Sequence, residues 1–126
     1  MNEDRVPLSV ATILQLDEEY RKLAAEDKLP KIVPKERNPD GEQWLPVMYR
    51  RLNNERVVLL YSNTATAHRL GKTHDWVVLY DKMLGHGKET QCTIVTEWHE
   101  GPLKDKRVIR GRDDECLRYY EEKKAA

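Results

Sequence analysis

The sequence predicts an α+β fold: a mainly antiparallel sheet of about five strands, with an N-terminal helix, a short inserted helix and a C-terminal helix. Three observations carry this. Five short β-branched or aromatic runs follow one another with short connections, which favours sequential antiparallel pairing with helices packed on one face. Stretches at the two ends of the chain combine helical character with capping or dipole-matched residues. No internal repeat or low-complexity segment interrupts the 126 residues, which suit a single domain, residues 1–126, able to bury a core without staples.

Taken in order, Ser9 is placed to cap a helix whose apolar positions Val10, Ile13, Leu14, Tyr20, Leu23 and Ala24 have helical spacing. Leu16 widens the stripe, and the helix is expected to end near Lys28. Pro30, Pro34, Pro39 and Pro46 then rule out helix over a polar stretch, because each ring removes a donor and biases its predecessor to extended geometry. Residues 29–46 read as a Pro-rich ordered loop or linker, with Asn38-Pro39-Asp40-Gly41 a turn sequence in its own right.

The strands are expected over Leu45 to Arg50, Arg56 to Tyr61, Trp76 to Asp81, Gln91 to Glu97 and Arg107 to Arg110. Asn53-Asn54 and Gly85-His86-Gly87 read as turns. Ser62 or Asn63 is expected to cap a short helix running through His68 to Leu70, closed by Gly71 in the left-handed region. Asp113 and Asp114 open a last helix, Cys116 to Lys123, whose acidic start and basic end suit its dipole. Trp76, beside Val77, Val78 and Leu79, is expected in the core of a central strand.

Lys plus Arg and Asp plus Glu balance at 22 each, so no global field draws the chain to nucleic acid or to an anionic membrane. No apolar run spans a membrane, and the N-terminus Met-Asn-Glu-Asp-Arg-Val-Pro lacks signal-peptide character; the expected location is cytoplasmic. Cys92 and Cys116 form no C-x-x-C pair and are expected to be buried, reduced thiols.

Candidate chemistry concentrates between Tyr61 and Tyr80, where a polar, ring-bearing segment joins two strand-forming runs. Gly71-Lys72-Thr73 ends like a phosphate-binding P-loop, but Thr66 stands where that loop needs glycine, and a strand follows where a helix must. His68, His74, His86 and His99 show no preorganising ligand spacing, even with Asp75 or Glu97 added, so no metal and no cofactor is expected. Ser62 lies outside any nucleophile elbow and Cys92 falls mid-strand. His68, Lys72, His74, Asp75 and Glu97 stay as weak catalytic candidates, because acid/base roles depend on geometry.

A local basic cluster is the better-supported feature: Lys104, Lys106, Arg107, Arg110 and Arg112 fall within nine residues with one acid, Asp105. Arg110 and Arg112 would share a face if the strand continues through Gly111, and Arg50, Arg51 and Arg56 add cations around the first hairpin. Such clusters neutralise phosphates, although a charge-guarded strand edge has the same composition. Trp44, Trp76 and Trp98 are available as stacking platforms.

The strings Leu29 to Val47, Ser62 to Tyr80, Gln91 to Glu97 and Gly101 to Cys116 resemble a domain at the C-terminal end of bacterial helix-hairpin-helix DNA-binding proteins related to the N-terminal region of family X DNA polymerases. The resemblance runs from Val6 to about Tyr119 and implies a setting in DNA metabolism or repair without an established reaction. The chain lacks the helix-hairpin-helix segments and begins at the domain itself, as a stand-alone version or an excised domain would. The expected function is an accessory domain with weak binding to DNA or to a DNA-processing protein. Two alternatives stay open: a small enzyme acting on a phosphodiester or nucleotide through the His/Lys/Asp candidates, and a protein-interaction module. Oligomeric state is not readable.

Overall fold

In the computed structural model, which describes residues 8–52, 55–83 and 89–125, the chain is an α+β fold built on a six-stranded antiparallel meander. The elements run α1 (Val10–Ala25), β1 (Lys31–Ile32), β2 (Leu45–Leu52), β3 (Glu55–Tyr61), α2 (Ala65–Arg69), β4 (Val77–Met83), β5 (Glu89–Thr96), β6 (Arg107–Ile109) and α3 (Asp113–Ala125). The sheet order is sequential, β1-β2-β3-β4-β5-β6. Every pairing is antiparallel. The Asn53-Asn54 turn and the Gly85-His86-Gly87 turn lie outside the described residues.

Ser9 caps α1 by accepting the Thr12 amide. The helix stops at Ala25, three residues before Lys28, because Asp27 takes φ 58° and lets the Lys28 amide return to the Leu23 carbonyl. That is the left-handed termination usually given to glycine. Its buried stripe, Val10, Ile13, Leu14, Leu16 and Tyr20, packs on the sheet with Val57, Leu59, Val77, Leu79, Ile94 and Ile109. Tyr20 ties helix to sheet: its hydroxyl donates to the Pro46 carbonyl at 2.8 Å and accepts the Tyr61 amide at 2.9 Å. Burial raises the pKa of the Tyr20 phenol well above its ordinary value.

Three expectations are corrected. The proline stretch contains a sixth strand, β1, whose two residues pair with Leu45 and Pro46; flanked by Pro30 and Pro34, it is too short to show any periodicity. The rest of that stretch is an ordered loop. The Asn38 side chain donates to the Pro34 and Glu42 carbonyls and accepts the Glu42 amide, and Gly41 turns at φ 63°.

Second, Thr64 caps α2, accepting the Ala67 amide. Ser62 is buried with its amide on the Trp76 carbonyl, and Asn63 bridges outward to the Glu36 carbonyl. Gly71 closes this helix at φ 69° as expected.

Third, β4 starts at Val77, so Trp76 is not a core strand residue. It is half-buried, with the Arg110 guanidinium 4.4 Å from its ring centroid. The strand's fully buried residue at that end is Val77.

Alternation along the strands gives the sheet two different faces. Register places Val57, Leu59, Tyr61, Leu79, Ile94 and Arg107 on the face covered by α1 and α3. The opposite face carries Tyr49, Arg51, Arg56, Val58, Tyr80, Lys82, Gln91, Thr93 and Arg110. With α1 and α3 on the first face, the second is exposed at Arg51, Arg56 and Lys82 and buried at Val47, Val78, Val95 and Val108. Among the described residues no helix is long and apolar enough to cross a membrane.

Candidate nucleic-acid interface

Two cross-strand rows define the open face near the β2–β3 end of the sheet. Arg51 pairs with Arg56, and Arg56 with Lys82, so three cations stand side by side on β2, β3 and β4. All three side chains are exposed, and none forms an ion pair with a described residue. Glu89 lies opposite Lys82 on β5 and is the acid that ends the row. Directly opposed like charges destabilise a sheet by about 0.2–1 kcal/mol per pair. Edge protection explains charge on an outer strand, but β3 and β4 are inner strands.

One step along the strands, Tyr49, Val58, Tyr80 and Gln91 form the next row. Tyr49 is 57% exposed, and Tyr80 and Val58 are half-buried. An apolar, ring-bearing strip thus runs beside a cationic one. Rings on a sheet offer faces for bases, and cations beside them offer counter-charge for phosphates.

The denser basic segment is organised differently. Arg107, a candidate phosphate contact of the basic cluster, has a side chain only 12% exposed and turned to the helix-covered face. Its guanidinium donates to both carboxylate oxygens of fully buried Asp17 at 3.1 and 2.8 Å, to Asp75 at 3.2 Å and to the Thr96 hydroxyl at 3.0 Å. Arg110 and Arg112 do not share a face, because β6 ends at Ile109 and Gly111 turns at φ 84°. Arg112 binds the Glu115 carboxylate at 2.9 and 2.6 Å and the Leu8 carbonyl at 2.9 Å. Lys104 pairs with Glu100 at 2.6 Å, and the Lys106 ammonium lies 5.7 Å from the Tyr120 ring centroid. Of the five, Arg110 alone stands on the open face, over Trp76.

Of the catalytic candidates, His68 and His74 both pack on Trp44, with ring centroids 6.5 and 5.9 Å from it. His68 donates from Nε2 to the Asn63 side-chain oxygen at 2.6 Å; the Asn63 amide nitrogen is occupied by the Glu36 carbonyl, which fixes that direction. The His74 ring packs 5.9 Å from Trp44 and 5.3 Å from Tyr61. Asp75 accepts the Thr96 amide and hydroxyl and the Arg107 guanidinium, so it is a structural acceptor.

Glu97 accepts the Trp98 and His99 amides and the His99 ring nitrogen at 2.9–3.3 Å. The His99 hydrogen bonds hold its carboxyl below the usual value. Lys72 and Glu97 line one groove that includes neither His68, His74 nor Asp75. Among the described residues no group of three His, Cys, Asp or Glu is arranged to hold a metal ion. Both cysteines are free, Cys116 buried and Cys92 half-buried, and burial raises the Cys92 thiol pKa to about 11.

The Arg51–Arg56–Lys82 row was missed although Arg51 and Arg56 stood out as cations near the hairpin, because Lys82 joins them only through strand register. No family model, no curated protein and no solved structure matches this chain, so the resemblance to the helix-hairpin-helix proteins rests on its four strings alone.

Proposed function

We propose that this chain is a non-catalytic binding domain that takes single-stranded nucleic acid on the open face of its sheet. The observation that carries the reading is the Arg51–Arg56–Lys82 row: three mutually repelling cations on adjacent strands, without a described ionic partner, bordering Tyr49 and Tyr80. A polyanion converts that repulsion into attraction, and the tyrosines supply base-stacking faces worth about 1–3 kcal/mol per base. A single strand suits the surface, since a duplex buries its base faces while an unstacked strand presents them. An accessory role in DNA metabolism or repair, in the cytoplasm, agrees with the resemblance and with two unpaired thiols.

With the chain neutral overall, affinity should be in the range of non-specific binding, about 10⁻⁴–10⁻⁶ M. Titrating labelled single-stranded and duplex DNA at low salt tests this. Arg51→Ala/Arg56→Ala/Lys82→Ala should weaken single-strand binding about tenfold or more. It should also flatten the slope of log affinity against log salt by about 2, at roughly 0.7 per lost contact. Lys104→Ala/Lys106→Ala should change little. Absence of binding, or binding indifferent to the triple substitution, would overturn the proposal.

A further inference from the structure

Beyond the tyrosine row this face is covered on β2 and β4, where Val47 and Val78 are buried, and it stays accessible along β5. Along β5, Gln91 is exposed and Thr93 half-buried, and Thr93 leads to exposed Arg110, whose amide bonds the Thr93 carbonyl. Arg110 and Trp76 line a groove of about 450 Å³ together with Leu70, Lys72, Trp98 and His99. Its floor is apolar, formed by buried Val95 and Val108.

Trp98 is 73% exposed, yet it is held in place. The His99 ring stacks on it with centroids 3.8 Å apart and planes 28° from parallel. Glu97 fixes the pair by accepting both backbone amides and the His99 ring nitrogen. With one indole face covered by His99, the high exposure belongs to the other face. A large ring held this way loses little conformational freedom on binding a flat partner. Around it, Lys72 and Arg110 form no ion pair with a described residue; the acids of the lining are Asp113 and Glu97, whose Oε1 takes the Trp98 and His99 hydrogen bonds.

We infer that this groove is a second subsite of the same surface, in which an unpaired nucleobase stacks on Trp98 while Lys72 and Arg110 meet the adjoining phosphates. The inference rests on the single-strand reading and adds a length requirement to it. Lys82 and Val77, the residue next to Trp76, are five residues apart on β4, about 17 Å at 3.3–3.4 Å per residue. A dinucleotide anchored on the cationic row cannot reach the groove. A strand at the short end of usual site sizes, about four nucleotides or more, can.

The test is a series of labelled oligodeoxythymidylates from two to eight nucleotides, titrated against the wild type, Trp98→Ala, Lys72→Glu and the cationic-row triple variant. Wild-type affinity should rise sharply between about three and six nucleotides, and Trp98→Ala should remove that rise, weakening the octamer about tenfold while leaving the dimer unchanged. Trp98→Tyr should restore part of it. Lys72→Glu, at a second lining residue, should reproduce the length-selective loss and serves as the independent variant if Trp98→Ala misfolds. Binding that is lost in the triple variant but untouched by Trp98→Ala and Lys72→Glu overturns the groove alone. Length-independent loss in Trp98→Ala also overturns it. Loss in the groove variants with none in the triple variant keeps the groove and overturns the cationic row, and no binding of any oligomer overturns both.

Discussion

Residues 104–112 hold five cations in nine positions, while the open sheet face holds three in one cross-strand row. Judged by density, the first is the binding surface. Judged by partners, it is mostly framework: Arg107 is committed to Asp17 and Asp75, Arg112 to Glu115 and Leu8, Lys104 to Glu100, and Lys106 lies over Tyr120, which leaves Arg110, over Trp76, as the one on the open face. The sparser row has no described ionic partner. A cation's capacity to take a ligand depends on which carboxylates the fold brings to it.

The largest effect that separates the two regions is on stability. Arg107→Ala should cost about 2–3 kcal/mol, because it removes the guanidinium that binds both oxygens of fully buried Asp17 and leaves Arg21 as that carboxylate's cationic partner. Chemical denaturation reads this directly, and a shift below about 1 kcal/mol would show that Asp17 is compensated elsewhere. Arg21 is the candidate, since it also contacts Asp17 at 3.0 Å. Next in size, Arg112→Ala should lose about 1–2 kcal/mol through its hydrogen bond to the Leu8 carbonyl, which anchors the start of α1 to the start of α3. Removing the three row cations together should instead leave stability unchanged or raise it by about 0.2–1 kcal/mol, through relief of cross-strand repulsion. A clear loss in that triple variant would mean that the row supports the fold, and the comparison would fail.

Legibility followed sequence separation. The five longer strands were visible in their β-branched runs, and α1 in its apolar spacing, since those signals lie within one element. The cap of α2 was misplaced by two residues or fewer among the consecutive capping types Ser62, Asn63 and Thr64; the sheet end takes Ser62 and the 30s loop takes Asn63, which leaves Thr64. Arg107 was misread because Asp17 lies 90 positions away. The cationic row was hidden for a related reason: β2, β3 and β4 had to be aligned before Arg51, Arg56 and Lys82 could be seen together. Trp98 was legible as a ring but not as a pinned one, since that depends on Glu97 folding back onto its neighbours.

The smallest effect to look for is the response to acid, in which the two regions should diverge. The hydrogen bonds from Arg112 hold the Glu115 carboxyl below its ordinary value. A carboxyl depressed on folding contributes stability that is complete above its unfolded pKa, about 4.3, and is lost as pH falls through the lower folded value. The penalty of Arg112→Ala should therefore shrink below about pH 4.3 toward the part carried by the Leu8 carbonyl. The open-face row has no described carboxylate partner to protonate. As the chain's 22 acids take up protons, the cations lose their balancing charge and self-repulsion grows, so the triple variant's stability relative to wild type should rise. Urea unfolding of the three proteins at about pH 6 and about pH 3 checks both trends. If the triple variant instead lost ground on acidification, an acidic partner such as Glu89 would be neutralising the row in the free protein, and part of its predicted hold on a polyanion would already be spent.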